Sequence, residues 1–311
     1  MKNTGFTNNT HRRRQRALAI SAAFLVLLVL VVYSAYRGAS LFQQRDRNTR
    51  EAVSLLSLWE DGHYARVAQE AQRRLEESPL DRDALLFAGY ARFFLAISRV
   101  SVEERNDDLD ASIRYLRLLK VRGDTPHPER VDYILGKAYL TRGVFWADLA
   151  VQYLEASREA GYKAQDLYEY LGRAHSAAGN VNEAMGWYLA AAEEHPTDRL
   201  LLTLGEEAFR LGQYDDAAKF YIRAIKETQD ESLEKRGLSQ LGQLYYDVGN
   251  YSMARQTLSR LVDMEPGNEN YWFLLGESYF ALGENREARR AWFATTRINP
   301  RHVGALRRLY D

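Results

Sequence analysis

Hydrophobic residues follow two different patterns along this chain of 311 residues. Residues 17–36 (ALAISAAFLVLLVLVVYSAY) contain no charged side chain. From about residue 47 to the end, apolar residues recur at helical spacing, and almost no stretch alternates with the two-residue period of a β-strand. The pattern therefore predicts one long apolar helix followed by an all-α body.

The apolar stretch at 17–36 is long enough to cross a membrane. A helix of this length, at about 1.5 Å per residue, spans about 30 Å, which is the hydrocarbon thickness of a bilayer. One alternative is a buried core helix, but the rest of the chain offers nothing to cover such a helix all round. The other is a cleaved signal peptide, although the run exceeds the usual apolar length of about 7–15 residues. We interpret residues 17–36 as an uncleaved transmembrane anchor.

Basic residues around this segment indicate its orientation. Four arginines lie directly before it, whereas those after it are more thinly spread. Because basic residues favour the cytoplasmic side, the bias places the amino terminus in the cytoplasm. The sequence then divides into a basic cytoplasmic tail (1–16), the anchor (17–36) and a linker (37–47). The remainder would lie across the membrane, which in a bacterium means an inner-membrane protein with a periplasmic body.

The last part of the chain repeats a pattern every 34 residues. The pattern consists of a Leu-Gly pair, a tyrosine, a turn glycine, an alanine, a large residue and a proline. One copy is Leu275-Gly276, Tyr279, Gly283, Ala288, Trp292 and Pro300, and the preceding copy is Leu241-Gly242, Tyr245, Gly249, Ala254, Leu258 and Pro266. The spacing predicts two helices joined at Gly283, where a left-handed backbone is tolerated, with proline ending the second helix.

This pattern resembles the tetratricopeptide repeat (TPR), a helix–turn–helix unit with the motif W-x2-L-G-x2-Y…A-x3-F…P. Seven units can be aligned on it, and the resemblance covers essentially the whole chain after the linker. It implies an all-α TPR solenoid in which neighbouring units stack into a right-handed superhelix with a concave groove. We expect irregular units over 48–122, a regular array over 129–301 and a C-terminal cap at 302–311. Within the irregular part, residues 99–110 read as a long polar connection, and 123–128 as a break in the chain.

Composition excludes several kinds of chemistry. The chain has no cysteine, so it has no disulfide and no thiolate nucleophile or ligand. Its six histidines include no pair at i, i+3 or i+4, and no glycine-rich phosphate loop follows a strand. We therefore expect no enzyme activity, no cofactor, no metal and no small-molecule substrate, and we expect His175 to be a packed helix residue. Residues 1–50 have a net charge of +8 and the remainder −8, which argues against nucleic acid as a partner.

The resemblance also implies which residues meet a partner. In TPR arrays the first helix of each unit lines the concave groove, and projecting that frame places aromatic and basic side chains there, the kind that protein interfaces use. The alternative for some of these rings is that the next unit covers them. The candidate partner-binding residues are Tyr133, Lys137, Arg173, Arg199, Phe209, Arg210, Arg236, Tyr246, Phe273 and Phe280.

The sequence therefore predicts a non-enzymatic, membrane-anchored TPR scaffold that binds protein or peptide partners and organises an envelope-associated assembly. The alternative is an organelle outer-membrane receptor whose cytosolic TPR domain handles client polypeptides. The Lys and Asn pair with which some TPR domains clamp a terminal carboxylate is missing, so that ligand is not expected.

Overall fold

A computed structural model describes residues 55–310 of the chain. The predicted tail, anchor and linker at 1–47 lie outside the described residues. Between 55 and 310, every helix is too short or too polar to cross a bilayer. No β-strand occurs in the same range, so the predicted all-α class is confirmed there.

The described residues contain fifteen α-helices, which we number in pairs along the chain, with α15 left single. The helices are α1 (55–60), α2 (Tyr64–Glu77), α3 (Arg82–Ser98), α4 (Val102–Arg122), α5 (Pro128–Arg142), α6 (Ala147–Glu159), α7 (Leu167–Ala177), α8 (Val181–Glu194), α9 (Asp198–Arg210), α10 (Tyr214–Glu227), α11 (Glu231–Asp247), α12 (Tyr251–Met264), α13 (Glu269–Ala281), α14 (Asn285–Ile298) and α15 (Val303–Tyr310). A short 3₁₀ turn, Val144–Trp146, stands between α5 and α6.

The chain divides into two compact units, the first ending at Leu95 and the second starting at Ala96. In the described part of the first unit, aromatic rings form the core around Trp59. The Trp59 ring lies 5.0 Å from Tyr64 and 5.3 Å from Phe94, between ring centroids. These contacts hold α1 and α2 against α3.

In the second compact unit, which starts at Ala96, the helices pack as a repeat array. Each helix from α5 onwards contacts the helix before it, and the first helices of successive pairs also contact one another, as α9 does α11 and α11 does α13. The core consists of leucines, alanines and large aromatic residues that come from every pair. Because each pair packs against its neighbours along the chain, the stability of the stack depends on the single pairs and on the interfaces between them.

Close contact between the paired helices occurs at the glycine of each Leu-Gly pair. A Cβ atom on Gly205 would lie 2.4 Å from the Tyr221 ring, and one on Gly172 would lie 2.6 Å from the Tyr188 ring. Gly242 faces Leu258 in the same way. In these three pairs the large residue stands sixteen positions after its glycine, so the packing role inferred from the sequence is confirmed.

The third pair, α5 and α6, departs from this spacing, although the sequence pattern places it in the regular array. Gly136 faces Leu154, eighteen positions later, and the alanine that packs beside it is Ala150. The 3₁₀ turn Val144–Trp146 holds the two additional residues. The insertion therefore lies in the turn, and both helices of the pair keep their usual packing.

The expected long polar connection at 99–110 is wrong. Helix α4 begins at Val102, where the Ser101 side chain accepts a hydrogen bond from the backbone N–H of Glu104. Acidic residues in a first turn are stabilised by the helix dipole, and Leu109 and Leu116 supply a buried face at i, i+7. Only 99–101 connect α3 to α4. The break after α4 does occur, because Gly123 ends the helix with a left-handed backbone (φ 89°).

Candidate partner-binding surface

The first helices of consecutive pairs, together with the cap helix, form a row within the second unit. We call this row, made of α5, α7, α9, α11, α13 and α15, the first-helix surface. Side chains bridge it from one unit to the next, since Lys137 contacts Asp166 and Arg236 contacts Glu206. All ten candidate residues lie on these helices. The structure places them in environments that differ sharply.

Two of the candidates, Tyr133 and Lys137, belong to an internal network. The Tyr133 hydroxyl donates a hydrogen bond to Asp166, and Lys137 Nζ lies 3.0 Å from the same carboxylate. Lys137 also stands 4.1 Å from the centre of the Tyr170 ring. Burial raises the pKa of Asp166, but the hydrogen bonds from Tyr133 and Lys137 outweigh it, so the pKa is lowered overall. These groups join the third helix pair to the fourth. Little of the Tyr133 side chain is exposed.

Arg173 and Arg199 lie on the surface of α7 and α9. Both residues are exposed, and the Arg173 guanidinium stands 4.9 Å from the centre of the Tyr170 ring. Among residues 55–310, no carboxylate forms an ion pair with either side chain. They are therefore charged groups that an acidic partner could reach.

Arg210 and Arg236 are partly used within the chain. Arg210 Nη1 lies 2.9 Å from the buried Glu207 and donates a hydrogen bond of 2.8 Å to the Ser176 hydroxyl. Arg236 Nη2 lies 2.6 Å from Glu206. Each arginine thus ties one first helix to its neighbour, and about half of each side chain remains exposed.

Besides the buried Tyr133, four of the candidate residues carry aromatic rings, and three of these rings are half-buried. Phe209 lies 5.5 Å from Tyr214, and Tyr246 lies 5.6 Å from Tyr251, the first residue of the next helix in each case. Phe273 is covered by the cap, with its ring 4.7 Å from that of His302. For Phe273 the alternative noted from the sequence is correct, because the next element covers the ring.

Phe280 is the candidate ring that remains open, with 45% of its surface exposed. The guanidinium of Arg308, from the cap helix, lies 4.8 Å from the centre of this ring. Arg308 also donates two hydrogen bonds, of 3.0 and 2.6 Å, to the buried carboxylate of Glu277. Such a two-pronged pair is among the stronger charge-assisted hydrogen bonds, so the guanidinium is held in one position over Phe280.

Tyr246 belongs to the same group of side chains. Burial raises its pKa, and the nearby charge of Glu277 raises it further. We name Tyr246, Glu277, Phe280 and Arg308 the C-terminal cluster. Sequence reasoning selected Tyr246 and Phe280 but missed the part played by Arg308, whose only signal was its place in an arginine-rich final segment.

The C-terminal cluster presents an exposed ring and a fixed, partly exposed guanidinium beside it. This combination suits recognition of a peptide with an apolar side chain and a carboxylate or carbonyl group. Within residues 55–310, no group of three or more His, Asp or Glu side chains is arranged to hold a metal ion. His175 is buried between Glu155 and Trp187, as a packed helix residue would be.

Comparison with known families identifies the repeats. A tetratricopeptide repeat model matches residues 147–199 and 239–302, and a second tetratricopeptide repeat model matches 198–231. The chain therefore contains tetratricopeptide repeats, as the 34-residue pattern predicts.

Two curated proteins show similarity over part of their length. The TPR repeat-containing protein YpiA of Bacillus subtilis is 24% identical over 181 residues, which is 58% of this chain and 42% of YpiA. Tetratricopeptide repeat protein 37 of Xenopus laevis is 26% identical over 151 residues, which is 48% of this chain and 10% of that protein. The chain thus spans less than half the length of either relative.

Two solved structures share the fold. The C-terminal part of a TPR repeat-containing protein from Cytophaga hutchinsonii has a TM-score of 0.62 at 14% identity and covers 84% of this chain and all of that one. The MamA protein has a TM-score of 0.50 at 16% identity, covering 56% of this chain and 93% of that one. At these identities the likeness establishes the fold, an all-α TPR solenoid.

Proposed function

We propose that this chain is a non-enzymatic TPR scaffold that binds protein partners through its first-helix surface. The observation that carries the proposal is the C-terminal cluster. In it the Phe280 ring is more exposed than the candidate rings of Phe209, Tyr246 and Phe273 on the same surface. The ion pair to Glu277 holds Arg308 over the ring, so a partner finds the guanidinium already ordered. Arg173 and Arg199 would extend the site along the row as reachable positive charges.

The proposal includes the membrane anchor. Residues 17–36 would hold the scaffold at the inner membrane, with the amino terminus in the cytoplasm and the repeats in the periplasm. A tether of this kind raises the effective concentration of the scaffold for partners in the same membrane. The supporting observations are the uncharged stretch and the arginines before it. An organelle outer-membrane receptor with cytosolic repeats is the competing arrangement, and a topology reporter fused after Asp311 distinguishes the two.

Two phenylalanines of the same repeat allow a matched test. Phe280 on α13 and Phe293 on α14 are similarly exposed, at 45% and 52%, but only Phe280 lies on the first-helix surface. In affinity capture with the full chain, we expect the Phe280→Ala variant to lose the partners that the wild type retains. The Phe293→Ala variant should still retain them. Equal capture by both variants, with both proteins folded, would place recognition elsewhere.

A further inference from the structure

A concave surface lies away from the C-terminal cluster, around helix α4. It is a cleft of about 480 Å³ between α4, the end of α5 and the 3₁₀ turn that follows. We call it the α4 cleft. Ligand pockets in proteins typically have volumes of about 300–1,000 Å³, and this cleft falls in that range. Its walls consist of apolar residues and four charged ones, namely Ile113, Leu118, Val121, Tyr139 and Trp146 with Asp110, Arg114, Arg117 and Arg142.

The apolar surface continues beyond the cleft. Val121, on its wall, is 84% exposed, and Phe145, next to Trp146 in the 3₁₀ turn, is 97% exposed. The turn holds the two residues that the third unit has in addition to the regular spacing, so the insertion is what presents this ring. Contiguous apolar surface that is exposed to water marks interaction sites in soluble proteins, whereas single scattered apolar residues do not. Because the surface extends past the cleft, it fits a polypeptide segment better than a small molecule.

The charges around the cleft do not cancel. Arg142 Nε lies 2.8 Å from Asp110, so these two residues neutralise each other. Arg114 lies against the Tyr115 ring at 5.1 Å, and the charge of Arg117 acts on Tyr139. Within residues 55–310, neither arginine forms an ion pair with a carboxylate. The cleft thus offers two uncompensated positive charges beside an apolar floor.

We propose that the α4 cleft is a second docking site, which binds a partner segment presenting a large apolar side chain flanked by carboxylates. The apolar side chain enters between α4 and the 3₁₀ turn, and the carboxylates pair with Arg114 and Arg117. Complementary charges of this kind fix the register and select the partner. A flat membrane surface fits less well, because Asp110 stands among the residues that line the cleft.

The proposal can be tested with the full chain in detergent micelles. A random-peptide phage library is selected on the wild type and counter-selected on the Phe145→Ser variant. We expect the enriched peptides to combine a large apolar residue with neighbouring Asp or Glu. Their affinity should fall about tenfold or more in Arg114→Glu/Arg117→Glu, and should return when the acids of the peptide are changed to Lys. Arg290→Glu, an exposed arginine on α14, is the matched control and should not alter binding.

Three results would overturn the proposal. One is that no peptide is retained by the wild type in preference to Phe145→Ser, and another is that the retained peptides lack acids. The third is insertion of this surface into lipid. Because the chain has no cysteine, Val144→Cys can be labelled with a single fluorophore whose emission reports contact with a membrane. Upon reconstitution into phosphatidylserine-containing vesicles, a blue shift there but not at Ile222→Cys would show a membrane surface instead.

Discussion

The indole ring of Trp292 occupies the space beside Gly276 that a side chain would need. A Cβ atom on Gly276 would lie 2.6 Å from both Cδ1 and Nε1 of this ring. Trp292 is itself buried, so the ring cannot move towards water. The two residues therefore set the distance between α13 and α14.

This contact predicts that Gly276→Ala is destabilising. Overpacking a well-filled site typically costs about 1–3 kcal/mol of unfolding free energy. Gly186 is the matched control, because it is an exposed helical glycine whose added Cβ would meet no atom within 4 Å. Gly186→Ala should stabilise the protein by up to about 1 kcal/mol, since alanine is the better helix former. Urea unfolding of both variants measures the difference, and equal stability would contradict the close approach.

The pair between Arg308 and Glu277 predicts an asymmetric mutational result. Arg308→Ala leaves the buried carboxylate of Glu277 without its charged partner, which should cost about 1–3 kcal/mol. Adding Glu277→Gln should restore part of the loss, because the remaining group is neutral. The exposed pair of Arg223 and Glu227 is the control, and Arg223→Ala should change stability by less than about 0.5 kcal/mol. Thermal melts of the four proteins check this, and equal losses for Arg308→Ala and Arg223→Ala would contradict it.

The Asp166 network predicts a pH-dependent contribution to stability. The folded-state pKa of Asp166 is lowered below the ordinary value of 3.8. Its stabilising effect should therefore be fully present above that value and be lost as pH falls through the folded-state pKa. Wild type should be more stable than Asp166→Asn at pH 7, and the gap should narrow in acid. Chemical unfolding at pH 7 and in acid measures the difference in unfolding free energy between the two proteins. A difference that grows in acid would contradict a lowered pKa of Asp166.

The corrected boundary of α4 predicts where a protease cuts. Residues 123–127 lie outside any helix, and Pro126 has no backbone N–H to donate. By contrast, the turn at 178–180 keeps backbone hydrogen bonds from all three of its N–H groups. Within residues 55–310, limited digestion with a nonspecific protease should therefore cut first at 123–127. Early cutting at 102–110 would mean that the start of α4 is not helical.

The repeat fold could be predicted from the sequence because its key contacts are local. Gly276 and Trp292 belong to one helix pair, and their spacing recurs in four pairs, so periodicity alone indicates the packing. The third unit was assigned to the regular array, but its two extra residues shift Leu154 out of that register. The prediction of a loop at residues 99–110 was wrong because it relied on their polar composition. The buried face that stabilises α4 consists of a few residues such as Leu109, which composition does not reveal.

The sequence by itself determined the repeats, their helical class and the helices on which the candidate residues lie. Only the tertiary structure decided which candidate residues are open to a partner. Tyr133 is satisfied by Asp166, Phe273 is covered by His302, and Phe280 is left exposed beneath Arg308. In each case the neighbour comes from the next unit, about thirty residues away in the chain. The exposure of a side chain depends on what stacking brings over it, and a single repeat does not contain that information.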